Sequence, residues 1–111
     1  MEIDKLESLR WDLRQDCVDI IIAGGGGHIG GDVSVIDALM VLYENHLRIT
    51  PKTVDDPNRD RFVLSKGHAM EAYYAVLCHE GFLDLADVKA RFSKFGSPYI
   101  GHPNNKLPGI E

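Results

Sequence analysis

An α/β architecture, mostly helical in this fragment with one clear strand, is predicted by three features of the 111-residue chain. Apolar side chains recur at spacings of three and four in four segments. One short β-prone run, residues 61–65, interrupts them. Glycine and proline collect at the joins between segments, where chains turn. A lone strand cannot satisfy its own backbone N–H and C=O groups, so this run needs sheet partners from elsewhere. Helices around one short buried strand suggest the opening segment of a larger α/β layer structure.

Taken in order, residues 4–23 form the first predicted helix. Leu6, Leu9, Leu13, Cys17, Ile20 and Ile21 lie on one stripe, with Asp4 as the expected cap and Gly24 as the expected left-handed end. A glycine loop occupies 24–31. Ser34 and Asp37 have capping-box spacing and are expected to open a second helix carrying Val35, Ala38, Leu39, Leu42, His46 and Leu47. Residues 48–60 hold Pro51 and Pro57 among polar neighbours and read as a surface loop. After the strand, residues 70–80 return to helical spacing through Tyr73, Tyr74 and Leu77, and Gly81 ends them. Residues 84–95 form the last predicted helix, capped by Asp84, with Leu85, Val88, Phe92 and Phe95 on one side. From Gly96 the chain is expected to be a loose end rich in Gly and Pro.

Composition narrows the function classes. At 44% hydrophobic and 26% charged, the chain is that of a folded domain rather than a disordered or fibrous one. Seventeen acidic against twelve basic residues give a net charge of −5, which argues against a nucleic-acid or anionic-membrane surface. Cys17 and Cys78 lack any metal-like spacing and read as reduced thiols of a cytosolic protein. No apolar run approaches the ~20 residues that span a bilayer, so a soluble, cytoplasmic protein is expected.

Three of the five histidines follow a glycine directly: Gly27-His28, Gly67-His68 and Gly101-His102. All three fall in predicted loops or at element ends, where binding residues concentrate. Glycine lets a ligand approach the backbone closely, while the neighbouring imidazole donates or accepts a hydrogen bond. His46 and His79 fall within predicted helices and are expected to be partly buried structural side chains. Four readings of the glycine–histidine pairs stand side by side. They are incidental turn residues, a three-histidine zinc site, a dinucleotide-binding turn at Gly25, Gly27 and Gly30, or a ligand site shared by the imidazoles. No short-range His pair supports zinc. The helical stripe upstream contradicts the strand that a dinucleotide turn requires. A Walker A loop is excluded, because no G-K-[ST] follows the glycines.

Three blocks then carry a family resemblance. Gly27-His-Ile-Gly-Gly31 with Ser34-Val-Ile-Asp37 resembles the first histidine motif of transketolases. Arg59-Asp-Arg-Phe-Val-Leu-Ser-Lys-Gly-His-Ala69 is similar to the R-D-R-F-V-L-S-K-G-H-A block of that family. Gly96-Ser-Pro-Tyr-Ile-Gly-His-Pro103 and Pro108-Gly-Ile-Glu111 resemble its third block. The isoleucine after His28 is more like the split bacterial enzymes, whose N-terminal half is a separate subunit. Asn104 departs from the Glu that often follows His-Pro.

The resemblance implies that residues 1–111 are the N-terminal part of a three-layer α/β/α thiamine diphosphate-binding domain, incomplete at the C-terminus. It implies transfer of a two-carbon ketol unit from a ketose phosphate to an aldose phosphate, in the carbohydrate chemistry of the pentose phosphate pathway. His28, His68 and His102 match the family's catalytic positions. His28 and His102 would contact the donor sugar, and His68, with Gly67 and Lys66, would lie against the coenzyme's diphosphate. An imidazole, with an ordinary pKa of ~6.5, can give and take a proton at neutral pH.

The coenzyme would be thiamine diphosphate with Mg2+ or Ca2+, whose ligands lie outside this chain. The partner would be a C-terminal, pyrimidine-binding transketolase subunit or half, in a homo- or hetero-oligomer, and the chain alone is expected to be inactive. Two alternatives remain: a related thiamine diphosphate sugar enzyme, such as a deoxyxylulose-phosphate synthase or an unusual-sugar transketolase, or a non-catalytic piece that only packs against a partner.

Overall fold

Helix α3 (Met70–His79) is the axis of the structure, and the other helices lie around it. The computed structural model describes all of residues 1–111. Helix α1 (Ile3–Gly24) and helix α2 (Ile29–Val41) pack on α3 and on each other, and α4 (Leu85–Arg91) bridges α1 and α3. Every residue of α3 from Met70 to Leu77 is buried, so it is apolar around its circumference apart from Glu71. A helix hydrophobic on all sides must be enclosed, and its neighbours enclose it here. No helix is long and apolar enough to cross a membrane.

Helix α1 buries Leu6, Leu9, Leu13, Cys17 and Ile20, the expected stripe. Its ends differ slightly from expectation. The capping position falls on Glu2 rather than Asp4, and Gly25 rather than Gly24 takes the left-handed turn, at φ 83°, donating its N–H to Ile21 and Ile22 carbonyls. Gly24 stays helical, and the Phe92 ring occupies the space a side chain there would need.

Helix α2 begins at Ile29, upstream of the expected Ser34–Asp37 capping box. Two tertiary contacts draw the helix back. The Asp32 carboxylate accepts the Ala72 N–H at 3.0 Å, and Gly31 lets the Lys66 stem approach, at 3.4 Å from where a Cβ would sit. Ser34 donates to the Gly31 carbonyl from inside the helix, and Asp37 pairs with Arg14 of α1 at 2.9 Å. The helix finishes in a π-helical turn, Leu42–His46, closed by a 2.7 Å bond from Leu47 N–H to the Leu42 carbonyl. That turn aims Tyr43 inward, its hydroxyl 2.8 Å from that of Tyr73.

The expected strand at 61–65 is absent. Its backbone alternates as a strand would: Leu64 is buried, Phe62 packs on Tyr43 and Tyr73, and Val63 is 71% exposed. A ladder needs a second extended segment alongside, and none of these 111 residues provides one. The segment keeps the side-chain alternation but pairs with nothing, so the fragment is helical, as expected, without the one clear strand.

Helix α4 starts as expected, with Asp84 Oδ1 accepting the Ala86 N–H at 3.2 Å. It stops at Arg91 instead of running to residue 95. Phe92 turns in against Tyr74, Ser93 takes a left-handed φ of 61° while bonding the Tyr99 carbonyl, and Phe95 is left fully exposed. The segment after Gly96 is not loose. Tyr74 donates to the Ile100 carbonyl at 2.6 Å, Ile110 is buried, and Glu111 pairs with Arg59 at 2.6 Å.

Candidate functional site

Each of the three glycine-flanked histidines is set by the start of a helix or by a tight loop. His28 is the residue before α2, delivered by the turn through Gly25 and Gly26, both at positive φ. His68 lies two residues before α3, in a turn closed by Ala69 N–H to the Lys66 carbonyl at 3.0 Å. His102 comes from the loop after Gly96, which Tyr74 and Asp87 anchor through the Ile100 carbonyl and the Tyr99 hydroxyl.

These segments bring the three rings into one row. The His28 and His68 ring centroids are 4.9 Å apart, those of His68 and His102 are 4.5 Å apart, and both pairs meet edge to face at 68°. Gly67 makes the second approach possible, because a Cβ there would lie 3.0 Å from His102 Nδ1. The rings are all solvent-exposed, so this is an open face rather than the wall of an enclosed cavity. Lys66 borders the row, and its ammonium donates to Ser34 Oγ at 2.7 Å. His46 and His79 lie elsewhere, and both are exposed rather than partly buried as expected. His79 pairs with Glu44 at 3.0 Å.

Beneath the row lie two residues that periodicity and motifs did not single out, Asp32 and Glu71. They are the buried charged residues of the core, at 0% and 1% exposure. Burial pushes the Asp32 carboxyl up to about 7, Glu71 beside it pushes the same way, and the Ala72 N–H opposes both. Burial, with Asp32 and Glu71 behind it, also pushes the Cys17 thiol up to about 12, so this cysteine is an inert core side chain. A signal was present in the residues. Asp32 falls on the same helical stripe as Ile36 and Leu39, and Glu71 sits inside an otherwise apolar run.

One further group has metal-ligand character. Glu44, His79 and Glu80 bring one ligand atom each within 4.8 Å of the others. It lies at the C-terminal ends of the π-helical turn and α3, whereas the imidazole row lies at the N-terminal ends of α2 and α3.

The row can hold an anionic ligand that presents both phosphate oxygens and an exchangeable proton. Imidazoles and the Lys66 ammonium supply donors, while Gly25, Gly26 and Gly30 leave open space where side chains would intrude. That donor set fits a diphosphate.

The family model described as "Transketolase, thiamine diphosphate binding domain" matches residues 8–111. One of the subunits of an apulose-4-phosphate transketolase from Phocaeicola vulgatus is 40% identical over 111 residues, covering 100% of this chain and 39% of that protein. Transketolase 1 of Saccharomyces cerevisiae is 39% identical over 111 residues, 99% of this chain and 16% of that protein. Among solved structures, the transketolase from Leishmania mexicana superposes with a TM-score of 0.87 at 32% identity, over 95% of this chain and 16% of that one. The chain belongs to the transketolase family, with residues 8–111 matching its thiamine diphosphate binding domain. It spans well under half the length of these relatives.

Proposed function

We propose that this chain supplies the diphosphate-side face of an enzyme that transfers a two-carbon ketol unit from a ketose phosphate to an aldose phosphate. The observation that carries the reading is the imidazole row, with neighbouring rings 4.9 and 4.5 Å apart on one exposed face. Residues 1–111 are then the N-terminal part of a three-layer α/β/α domain, completed by further chain beyond this stretch. A pyrimidine-binding subunit or half covers the exposed face, in a cytoplasmic oligomer. The P. vulgatus relative is named as one subunit of a transketolase, which favours a separate partner polypeptide.

Thiamine diphosphate, when bound with Mg2+ or Ca2+ held by residues outside this chain, supplies the electron sink that lets the ketose C2–C3 bond break. His68, Gly67 and Lys66 hold the diphosphate: the imidazole and ammonium donate, and the glycine leaves room. His28 and His102, flanking His68, bind the sugar's oxygens near C1 and C2. Each imidazole can hold a proton against a developing alkoxide and take it back on the return step. Exclusion of water falls to the covering partner, since the face is open here.

The same relative favours a second reading of the substrate, in which the sugar is an unusual one such as apulose 4-phosphate. The test is turnover of the assembled enzyme with His68→Ala, on a panel of ordinary and branched sugar phosphates. A loss on the order of 100-fold with the assembly intact supports ketol transfer through this face. Wild-type turnover removes His68 from the chemistry, and the preferred sugar decides between the two substrates.

A further inference from the structure

Asp32 and Glu71 face each other across the joint between the first turns of α2 and α3. Asp32 Oδ1 is satisfied by the Ala72 N–H at 3.0 Å. Asp32 Oδ2 and Glu71 Oε2 are both buried with no hydrogen-bond donor. Cys17 from α1, Lys66 from the turn before α3, and Tyr74 from α3 are the other titratable groups that act on the pair. The one cation among them, Lys66, donates its ammonium to Ser34.

Two carboxylates side by side in a dry interior repel each other, and each loses its hydration. One proton held between them removes the repulsion and gives the orphaned oxygens a donor. A single remaining negative charge suits the place, because two helix N-termini converge on it.

The pair also carries the loops above it. Glu71 Oε1 lies directly under Gly27, so close that a Cβ there would come within 2.5 Å of it. The turn that delivers His28 therefore rests on Glu71, while Asp32 pins the start of α3 just after His68.

We infer that Asp32 and Glu71 share one proton and form a positioning pair that holds the His28 loop against the His68 turn. Loss of the shared proton turns the pair into a buried dianion, which pushes the starts of α2 and α3 apart and separates the two rings. The elevated Asp32 carboxyl is consistent with this. The inference deepens the proposed function but does not depend on it, since its test needs neither coenzyme nor sugar.

The test is a titration of the full chain by carboxyl-carbon and imidazole nuclear magnetic resonance, on wild type, Asp32→Asn and Glu71→Gln, each checked for helicity. In wild type, one carboxyl is expected to titrate near neutrality. Contacts between the His28 and His68 rings, followed as nuclear Overhauser effects, are expected to weaken above that midpoint as the two loops separate. Asp32→Asn keeps an acceptor for Ala72 and gives Glu71 a permanent donor, so the carboxyl step should vanish and the contacts between the two rings should persist as the pH rises. Glu71→Gln repeats the design from the other side, should one variant fail to fold. The inference is overturned if wild type shows both carboxyls ionised by about pH 5, or if the contacts between the His28 and His68 rings weaken to the same extent in the folded amide variants. Failure of ketol transfer with these titrations intact counts against the proposed function alone.

Discussion

His68 and His102 meet edge to face with ring centroids 4.5 Å apart, although they come from the turn before α3 and from the loop after α4. Gly67 stands between them, where a Cβ would lie 3.0 Å from His102 Nδ1 and 3.5 Å from Pro103. Gly67→Ala must therefore displace the His102 ring by a few tenths of an ångström without touching the core. In the assembled enzyme, turnover is expected to fall about 10- to 100-fold, the scale on which misplaced reacting groups lose rate. Helicity and melting temperature should stay close to wild type.

Gly27 poses a harder constraint. A methyl group there would meet Glu71 Oε1 at 2.5 Å and Ile21 Cγ1 at 3.0 Å, and both neighbours are held by packing. Gly27→Ala is expected to destabilise the chain by roughly 1–3 kcal/mol, the usual cost of overpacking. Thermal unfolding of the two proteins at the same pH measures it.

Stability should fall as the solution is made less acidic. Asp32 and Glu80 are both pushed up to about 7 in the folded chain, first by burial and then by Glu71 and Glu44 respectively. Between their ordinary range near 4 and about 7, the native state holds more protons than the unfolded one, so unfolding becomes easier as pH rises through that window. Asp60 and Asp87, held low by Arg48 and Arg91, act in the opposite sense and only below the ordinary carboxylate range. The melting temperature is expected to be several degrees lower at about pH 8 than at about pH 5. Asp32→Asn and Glu80→Gln should each flatten part of that slope, and a rise in melting temperature over the same interval would contradict the assignment.

The open face has a consequence for binding. All three imidazoles are exposed and no enclosed cavity surrounds them. The residues present offer donors on one side of a ligand only, and immobilising a flexible diphosphate on one wall gains little. Titration of the isolated chain with thiamine diphosphate and Mg2+ is expected to give no measurable heat. Micromolar affinity would show that this face is sufficient by itself.

Much of this organisation was legible in the residues. The stripe from Leu6 to Ile20 marked α1, because a helix face buried against neighbours keeps a strict period, and the helical spacing through Tyr73, Tyr74 and Leu77 marked α3, although its burial on all sides was not legible. The glycines before His28, His68 and His102 marked loops that converge, since only loops with backbone freedom can bring such distant imidazoles together. Other features depend on contacts that local periodicity does not contain. The segment 61–65 has strand alternation but no neighbour to pair with. Helix α2 starts early because Asp32 docks on Ala72 N–H, a partner 40 residues away. Helix α4 ends early because Phe92 is drawn under Gly24. Asp32 and Glu71 escape notice in the sequence because an acidic residue on an apolar stripe is ordinarily a solvated one.

The central claim is that His28, His68 and His102 act on one bound coenzyme and its sugar. It is tested most directly by following histidine ring signals in the assembled, isotope-labelled enzyme as thiamine diphosphate with Mg2+ and then a donor ketose phosphate are added. The prediction is that His68 shifts when the coenzyme binds and that His28 and His102 shift when the sugar follows, with His46 unmoved throughout. Saturating coenzyme and sugar that leave all three rings as unperturbed as His46 would contradict it.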